Sequence, residues 1–226
     1  MEKNKKLVIV GAGEFAEIAY EYFTLDSEYQ VVAFAVEKKY FKDNELFELP
    51  VVCLEDIKKI YPPTEYEVFV AITYVQLNRA RTRIYEMCKF WGYTCATYVS
   101  SQAFVWHNVS IGENCFVFEN NTIQYNVSIG NNVILWSGNH IGHRSIIGNN
   151  CWLTSHDVIS GFCNIGDNSF IGVNATLGDN VTLGKDTVFG AAAVTVKSLS
   201  DVGGVYVGSP ARKLDRTSYV QFGVEE

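Results

Sequence analysis

No apolar run near the start of this chain is long enough for a membrane span or the core of a secretory leader. After the basic opening MEKNKK, only LVIV precedes the first glycine. Cysteine pairs of the metal-binding or redox kind are missing too. The six cysteines stand at positions 53, 88, 95, 115, 151 and 163, with no CxxC and no zinc-ligand spacing. Small buried thiols in a reducing cytoplasm are the expectation. Positive charge is scarce: 18 Lys and Arg against 25 Asp and Glu leave a net charge of -7. That argues against general nucleic-acid binding, which needs clustered cations for phosphate. An anion can still be taken at a local basic patch or by backbone amides. With 48% hydrophobic and 19% charged residues, the composition is globular rather than disordered, and a cytoplasmic location is the expectation from the N-terminus and the cysteines. Its 226 residues suffice for one large domain or two small ones.

What is present is a repeat. From Val99, steps of six reach Val105, Ile111, Val117, Ile123, Ile129, Leu135, Ile141 and Ile147, and continue through Leu153, Ile159, Ile165, Ile171, Leu177, Leu183 and Phe189. Every position is apolar, and neither a helix nor an ordinary strand has that period. A triangular coil does: each side is a short strand with one inward aliphatic, and three sides make an eighteen-residue turn. Gly112, Gly130, Gly148, Gly166 and Gly184 recur at eighteen, followed two residues later by Asn114, Asn132, Asn150, Asn168 and Asp186. Gly and Asn tolerate positive φ, so this column is one corner of the triangle. The second half is therefore expected to be an all-β left-handed parallel β-helix.

On one side of that coil the outward column reads Phe116, Ile134, Trp152, Phe170 and Val188. A continuous apolar strip predicts an interface, and a cyclic oligomer would bury it. The alternative is that the N-terminal domain folds over it.

Before Val99 the pattern alternates strand and helix: KKLVIV, then EFAEIAYEYF, QVVAFAVE, EVFVAIT and the amphipathic QLNRARTRIYEMCKF. This predicts a small α/β, Rossmann-like unit with a parallel sheet. Gly11, Gly13 and Ala16 form GxGxxA between a strand and a helix, a turn that admits a phosphate to helix N-terminal amides. Glu37, near the end of the second strand, is placed to accept hydrogen bonds from a ribose or base. Fewer than 100 residues cannot hold two mononucleotide-binding halves, so one nucleotide group is expected. The domain expectation is 1–98 for nucleotide-sugar binding, 99–196 for the β-helix, and 197–226 for a C-terminal loop and tail.

A nucleotide-binding-like unit followed by hexapeptide coils and GAAAVTVKSLSDVGGVYVGSPARKL resembles the bacterial sugar acyltransferases with hexapeptide repeats. These include sialic-acid O-acetyltransferases and N-acetyltransferases of nucleotide-linked 4-amino sugars. The resemblance implies a homotrimer using acetyl-CoA along the coils between subunits, with the nucleotide-linked amino sugar on the N-terminal domain. Its I-x-H-x-x-x-I-G segment is IGHRSIIG here, which places the base at His143. The family often has an acid directly after that histidine, where this chain has Arg144. The resemblance further implies that Gly13, Glu14, Phe15 and Thr73 face the sugar nucleotide. Trp152, Gly161, Val173 and Ala191 match positions lining the coenzyme channel, and Lys197, Arg212 and Lys213 match the end where its nucleotide part emerges. Gly161, eighteen residues after His143, would offer its amide to the thioester oxygen.

Of the four histidines, His107 reads as solvated, while His140 and His156 fall within reach of the same region as His143 and stay open as alternative bases. A zinc carbonic anhydrase would need three histidines meeting across a subunit boundary, and the spacings of 33, 3 and 13 do not match. A non-catalytic scaffold is the other alternative. The expectation is an acetyl-CoA-dependent N-acetyltransferase of a nucleotide-linked amino-deoxysugar, without a metal, with O-acetylation of a sugar such as sialic acid as runner-up.

Overall fold

The computed structural model describes residues 2–224. Two compact units emerge, one of residues 2–73 and 81–98, the other of 74–80 and 99–224.

The first unit is a five-stranded sheet with strand order β3-β4-β2-β1-β5, formed by β1 (Lys5–Val10), β2 (Tyr29–Val36), β3 (Glu45–Leu46), β4 (Leu49–Cys53) and β5 (Glu67–Val70). All pairs are parallel except β3 with β4. The run Leu7–Val10 is buried on both faces, as expected of a central parallel strand. Helix α1 (Glu14–Leu25) follows β1 and buries Phe15, Ala16, Ala19 and Phe23. Phe15 and Phe23 both pack on Phe69. On the opposite side Val8, Val10, Val68 and Val70 meet Ile84 and Cys88 of a second helix, α2 (Arg79–Phe90).

That helix starts three residues later than its amphipathic pattern predicts. Gln76, Leu77 and Asn78 adopt left-handed φ values of 53°, 49° and 66°. Three such residues in succession are costly for L-amino acids. What holds them is burial: Leu77 is fully enclosed with Val188 and Val205 of the second unit.

The second unit is a left-handed parallel β-helix. Strands eighteen residues apart pair in parallel register, for example Thr122 with His140, Ser128 with Ile146 and Ile134 with Trp152. From Val105 onward the expected aliphatics point inward and form its core, whereas Val99, the first of the series, is exposed. From residue 114 to residue 192 the second residue of each corner is left-handed. Asparagine fills that place at 114, 120, 126, 132, 150, 168, 174 and 180, which its short side chain tolerates. Arg144, His156, Phe162 and Ala192 break the pattern while keeping the conformation. Just after several corners a residue with a polar side-chain atom also points inward and donates to the carbonyl fifteen residues on. Cys115, Cys151 and Cys163 do so through Sγ, Ser145 through Oγ, and Asn121 through Nδ2. The cysteines of the described residues are all free thiols, five of them buried.

The apolar strip is covered within the chain, which corrects its assignment as an open subunit interface. Phe116, Ile134, Trp152 and Val188 are at most 2% exposed. Tyr74 sets its ring edge against Trp152 and Phe170 at 5.2 and 4.9 Å, and Phe222 of the short helix Ser218–Phe222 closes on Phe170 at 5.4 Å. Below them Phe118 stacks on Trp136 at 4.5 Å. An ion pair from Arg79 to Asp186, which also accepts from the Tyr219 hydroxyl at 2.9 Å, ties down the segment and the tail. No helix among the described residues is long and apolar enough to cross a membrane.

Candidate active site

His143 occupies the first position of the corner between the strands His140–Ile141 and Ile146–Ile147. It is exposed, as its place two residues beyond an inward aliphatic predicts. Its ring lies against the next coil. A Cβ built on Gly161 would stand 2.6 Å from Cε1 and 2.9 Å from Nε2 of the imidazole. Phe162 meets the same imidazole edge-on, centroids 5.1 Å apart at 80°. Arg144 lies with its guanidinium 5.5 Å from the Tyr125 ring and 5.9 Å from the Phe162 ring. It thus spans the aromatic side chains of the coils below and above, a cation–π arrangement. Phe162 and Arg144 hold left-handed φ of 58° each, where bulky side chains are rarely found. Strain of this kind collects at functional sites.

The Gly161 amide is not available to a thioester oxygen in the expected way, because it donates to Asp179 Oδ1 at 2.8 Å. Nor does Trp152 present a wall to a coenzyme: it is 1% exposed beneath Tyr74. Val173 and Ala191 are exposed, but at a different corner, between the strands led by Trp152 and Val158 and their successors. His156 belongs to that corner also, with φ of 62° and its ring over Gly138, whose added Cβ would lie 2.7 Å from Nδ1. His140 is a half-buried strand residue, and His107 is exposed beside Trp106. Among the described residues no group of three His, Cys, Asp or Glu converges to hold a metal.

Lys197, Arg212 and Lys213 are exposed at the C-terminal end of the coils, the last two in a strand antiparallel to Val205–Val207. Lys213 is engaged by Asp201 at 2.9 Å. That pairing holds the Asp201 carboxyl below its ordinary range, the lysine hydrogen bond being the largest cause.

In the first unit the glycine motif divides into two roles. Gly11, at φ 133°, passes so close to β5 that a Cβ would lie 2.6 Å from the Ala71 carbonyl oxygen. It serves packing. Gly13 has open space where a Cβ would be, and its carbonyl accepts from Ala16 and Glu17 at the start of α1. Glu14 and Glu17 put negative charge in that first turn, which opposes an anion there. Phe15 points into the core, 3% exposed, so its side chain does not face a ligand. Glu37 accepts from Arg83 at 2.8 Å and its carboxyl is held down chiefly by that bond, so part of its accepting capacity is spent. Thr73 follows β5, half-buried. A cavity of about 110 Å³ opens beside these residues, lined by Ala12, Val36, Tyr40, Lys42, Asp43 and Leu46 among others. Tyr40, Lys42 and Asp43 were not among the expected site residues; their signal is the KKYFKDN loop that follows Glu37.

With this geometry in view, similarity to known proteins becomes informative. Residues 6–88 match the PglD N-terminal domain model, and residues 162–197 match the bacterial transferase hexapeptide model of six repeats. The resemblance to bacterial hexapeptide sugar acyltransferases holds in both halves. A search of curated protein sequences finds no match. Among solved structures, the acetyltransferase domain of PglB from Neisseria gonorrhoeae FA1090 superposes with a TM-score of 0.83 at 24% identity, covering 93% of this chain and all of that one. PerB from Caulobacter crescentus, in complex with CoA and GDP-perosamine, gives 0.81 at 25% identity, covering 92% of this chain and 97% of its own. WeeI from Acinetobacter baumannii AYE gives 0.78 at 22%, covering 93% and 100%.

Proposed function

We propose that this protein is an acetyl-CoA-dependent N-acetyltransferase acting on the amino group of a nucleotide-linked amino-deoxysugar, with His143 as general base. The observation that carries this reading is the fixed, exposed imidazole of His143 on a hexapeptide coil, in a chain that superposes over nine-tenths of its length on PerB bound to CoA and GDP-perosamine.

In this reaction the imidazole accepts a proton as the sugar amine attacks the acetyl carbonyl. The new N–C bond forms, the C–S bond breaks, and the CoA thiolate takes up a proton on leaving. Positioning supplies much of the acceleration, since a deprotonated amine is already a competent nucleophile. Arg144 replaces the acid expected beside the base; its stacked guanidinium is suited to a sugar or phosphate oxygen. The cavity beside Ala12 and Val36 would receive the nucleoside, and Glu37 and Thr73 would contact the same sugar nucleotide. Lys197, Arg212 and Lys213 would meet the phosphates of the coenzyme.

A convex corner does not exclude water by itself, and the exposed apolar side chains of Tyr125, Ile146, Val158 and Phe162 around His143 favour cover by a second subunit. Val173 and Ala191 would then line the coenzyme channel from the other chain of a homotrimer. Turnover of acetyl-CoA with a panel of UDP-, dTDP-, GDP- and CMP-linked amino sugars tests the reading. No acetyl transfer to any amine, together with no binding of acetyl-CoA, would remove it.

A further inference from the structure

The corner carrying His143 departs from one of its neighbours in a way that can be followed hydrogen bond by hydrogen bond. At a neighbouring corner the residues 113, 131, 149 and 167 form a ladder. The amides of Glu113, Asn131 and Asn149 each donate to the side-chain oxygen one coil on, at 2.9, 2.8 and 2.8 Å. The equivalent column at the His143 corner is Tyr125, His143, Gly161 and Asp179. Here the residue one coil beyond His143 is glycine, which has no side chain to accept from the histidine amide. That amide turns to Gln124 Oε1 instead, at 3.1 Å. One step later the ladder resumes, with the Gly161 amide donating to Asp179 Oδ1.

The space left by the missing side chain is not empty. The imidazole fills it, with Cε1, Nε2 and Nδ1 all within 3.1 Å of where a Gly161 Cβ would be. Phe162 forms the wall of this seat and Asp179 anchors its floor through the Gly161 amide. Gly161 lies outside the left-handed region occupied by six other glycines, so its backbone makes no demand for glycine. The demand comes from the ring.

We infer that Gly161 is a positioning residue for the base: its missing Cβ seats the His143 imidazole on the coil. This rests on His143 acting as the base. Gly161→Ala is the direct test, because alanine suits the backbone and its methyl displaces only the ring. The variant should lose about 10²-fold in kcat, the scale of a 1 Å misplacement, with the Michaelis constants of both substrates little changed. In the folded wild type, NMR cross-relaxation should link His143 Hε1 to the Gly161 α-protons, and the link should vanish in the variant. Asn131→Ala, which removes one rung of the neighbouring ladder, should keep kcat within about twofold, since only a surface hydrogen bond is lost. If His143→Asn is inactive while Gly161→Ala keeps wild-type kcat, the seat is unnecessary and the inference falls alone. If His143→Asn turns over normally, the base assignment fails and takes the inference with it. An equal loss in Asn131→Ala would mean a loosened coil, which also overturns it.

Discussion

Asp157 accepts a hydrogen bond from the Ala175 amide at 2.9 Å while its other carboxylate oxygen, Oδ2, has no partner among the described residues. The side chain is fully buried, and burial pushes its pKa up to about 8. One and two coils earlier the same inward column holds Asn139 and Asn121, whose Nδ2 groups donate to the Trp136 carbonyl. A protonated Asp157 can donate as they do; an ionised one cannot.

From this follows a pH dependence of stability. Between about pH 4 and 8 the unfolded chain releases a proton that the folded chain retains, so stability falls as pH rises across that interval. Asp157→Asn should remove this slope, leaving stability almost unaltered near pH 4 and raising it by about 2–4 kcal/mol at pH 8. Urea unfolding of both proteins at pH 4.5, 6 and 8 measures it. Parallel stability–pH curves would show that Asp157 does not titrate in this interval.

Trp152 gives a second prediction, now about folding rather than assembly. Its ring is enclosed by Trp136 and Tyr74 within one chain. Trp152→Ala should cost about 3–5 kcal/mol, and Leu77→Ala about 2–4, because each empties a packed site. Tyr74→Ala should weaken the same cover. If Trp152→Ala kept its unfolding midpoint and lost only subunit association in sedimentation, the strip would be an interface after all.

These two residues also mark how far the sequence could be read. The inward aliphatics announce the coil because each triangular side needs one, and the asparagine column announces corners because left-handed φ selects it. Tyr74 over Trp152 is different: it joins positions 78 residues apart through a left-handed turn that the pattern reads as helix. No local propensity encodes such a turn, since tertiary burial of Leu77 imposes it. The short pair β3–β4 and the cavity beside it were missed because two- and five-residue strands carry little periodicity. The outward position of His143 was legible from the six-residue period. The use of the Gly161 amide was not, because it depends on Asp179, another coil away.

Phe162 offers a third prediction, in which stability and activity separate. Asn126 and Asn180 occupy the same corner column with the same left-handed φ. Phe162→Asn should relieve about 1 kcal/mol of backbone strain and raise the melting temperature by about 2–4 °C. The same change removes the wall beside the imidazole, so kcat should fall while acetyl-CoA still binds. Thermal unfolding and steady-state kinetics on one preparation measure both. A variant no more stable than the parent would mean that ring contacts outweigh the strain.

The last prediction concerns the C-terminal end of the coils. Lys213 is held by Asp201 at 2.9 Å, an exposed pair, whereas Lys197 and Arg212 have no ion pair among the described residues. If these three cations meet the coenzyme phosphates, they should contribute unequally, with Lys213 partly neutralised by its own partner. Asp201→Asn frees that lysine and removes a negative charge, so it should lower the Michaelis constant for acetyl-CoA by about twofold to fivefold at low salt. Arg212→Ala should raise the constant by more than Lys213→Ala does. Both effects should shrink as ionic strength rises, because exposed charges are screened over about 8 Å at physiological salt. Measuring the constant at 20, 150 and 500 mM salt separates this from a structural effect, which salt would not erase. A constant that ignores Asp201→Asn and Arg212→Ala at every salt concentration would place the coenzyme phosphates elsewhere.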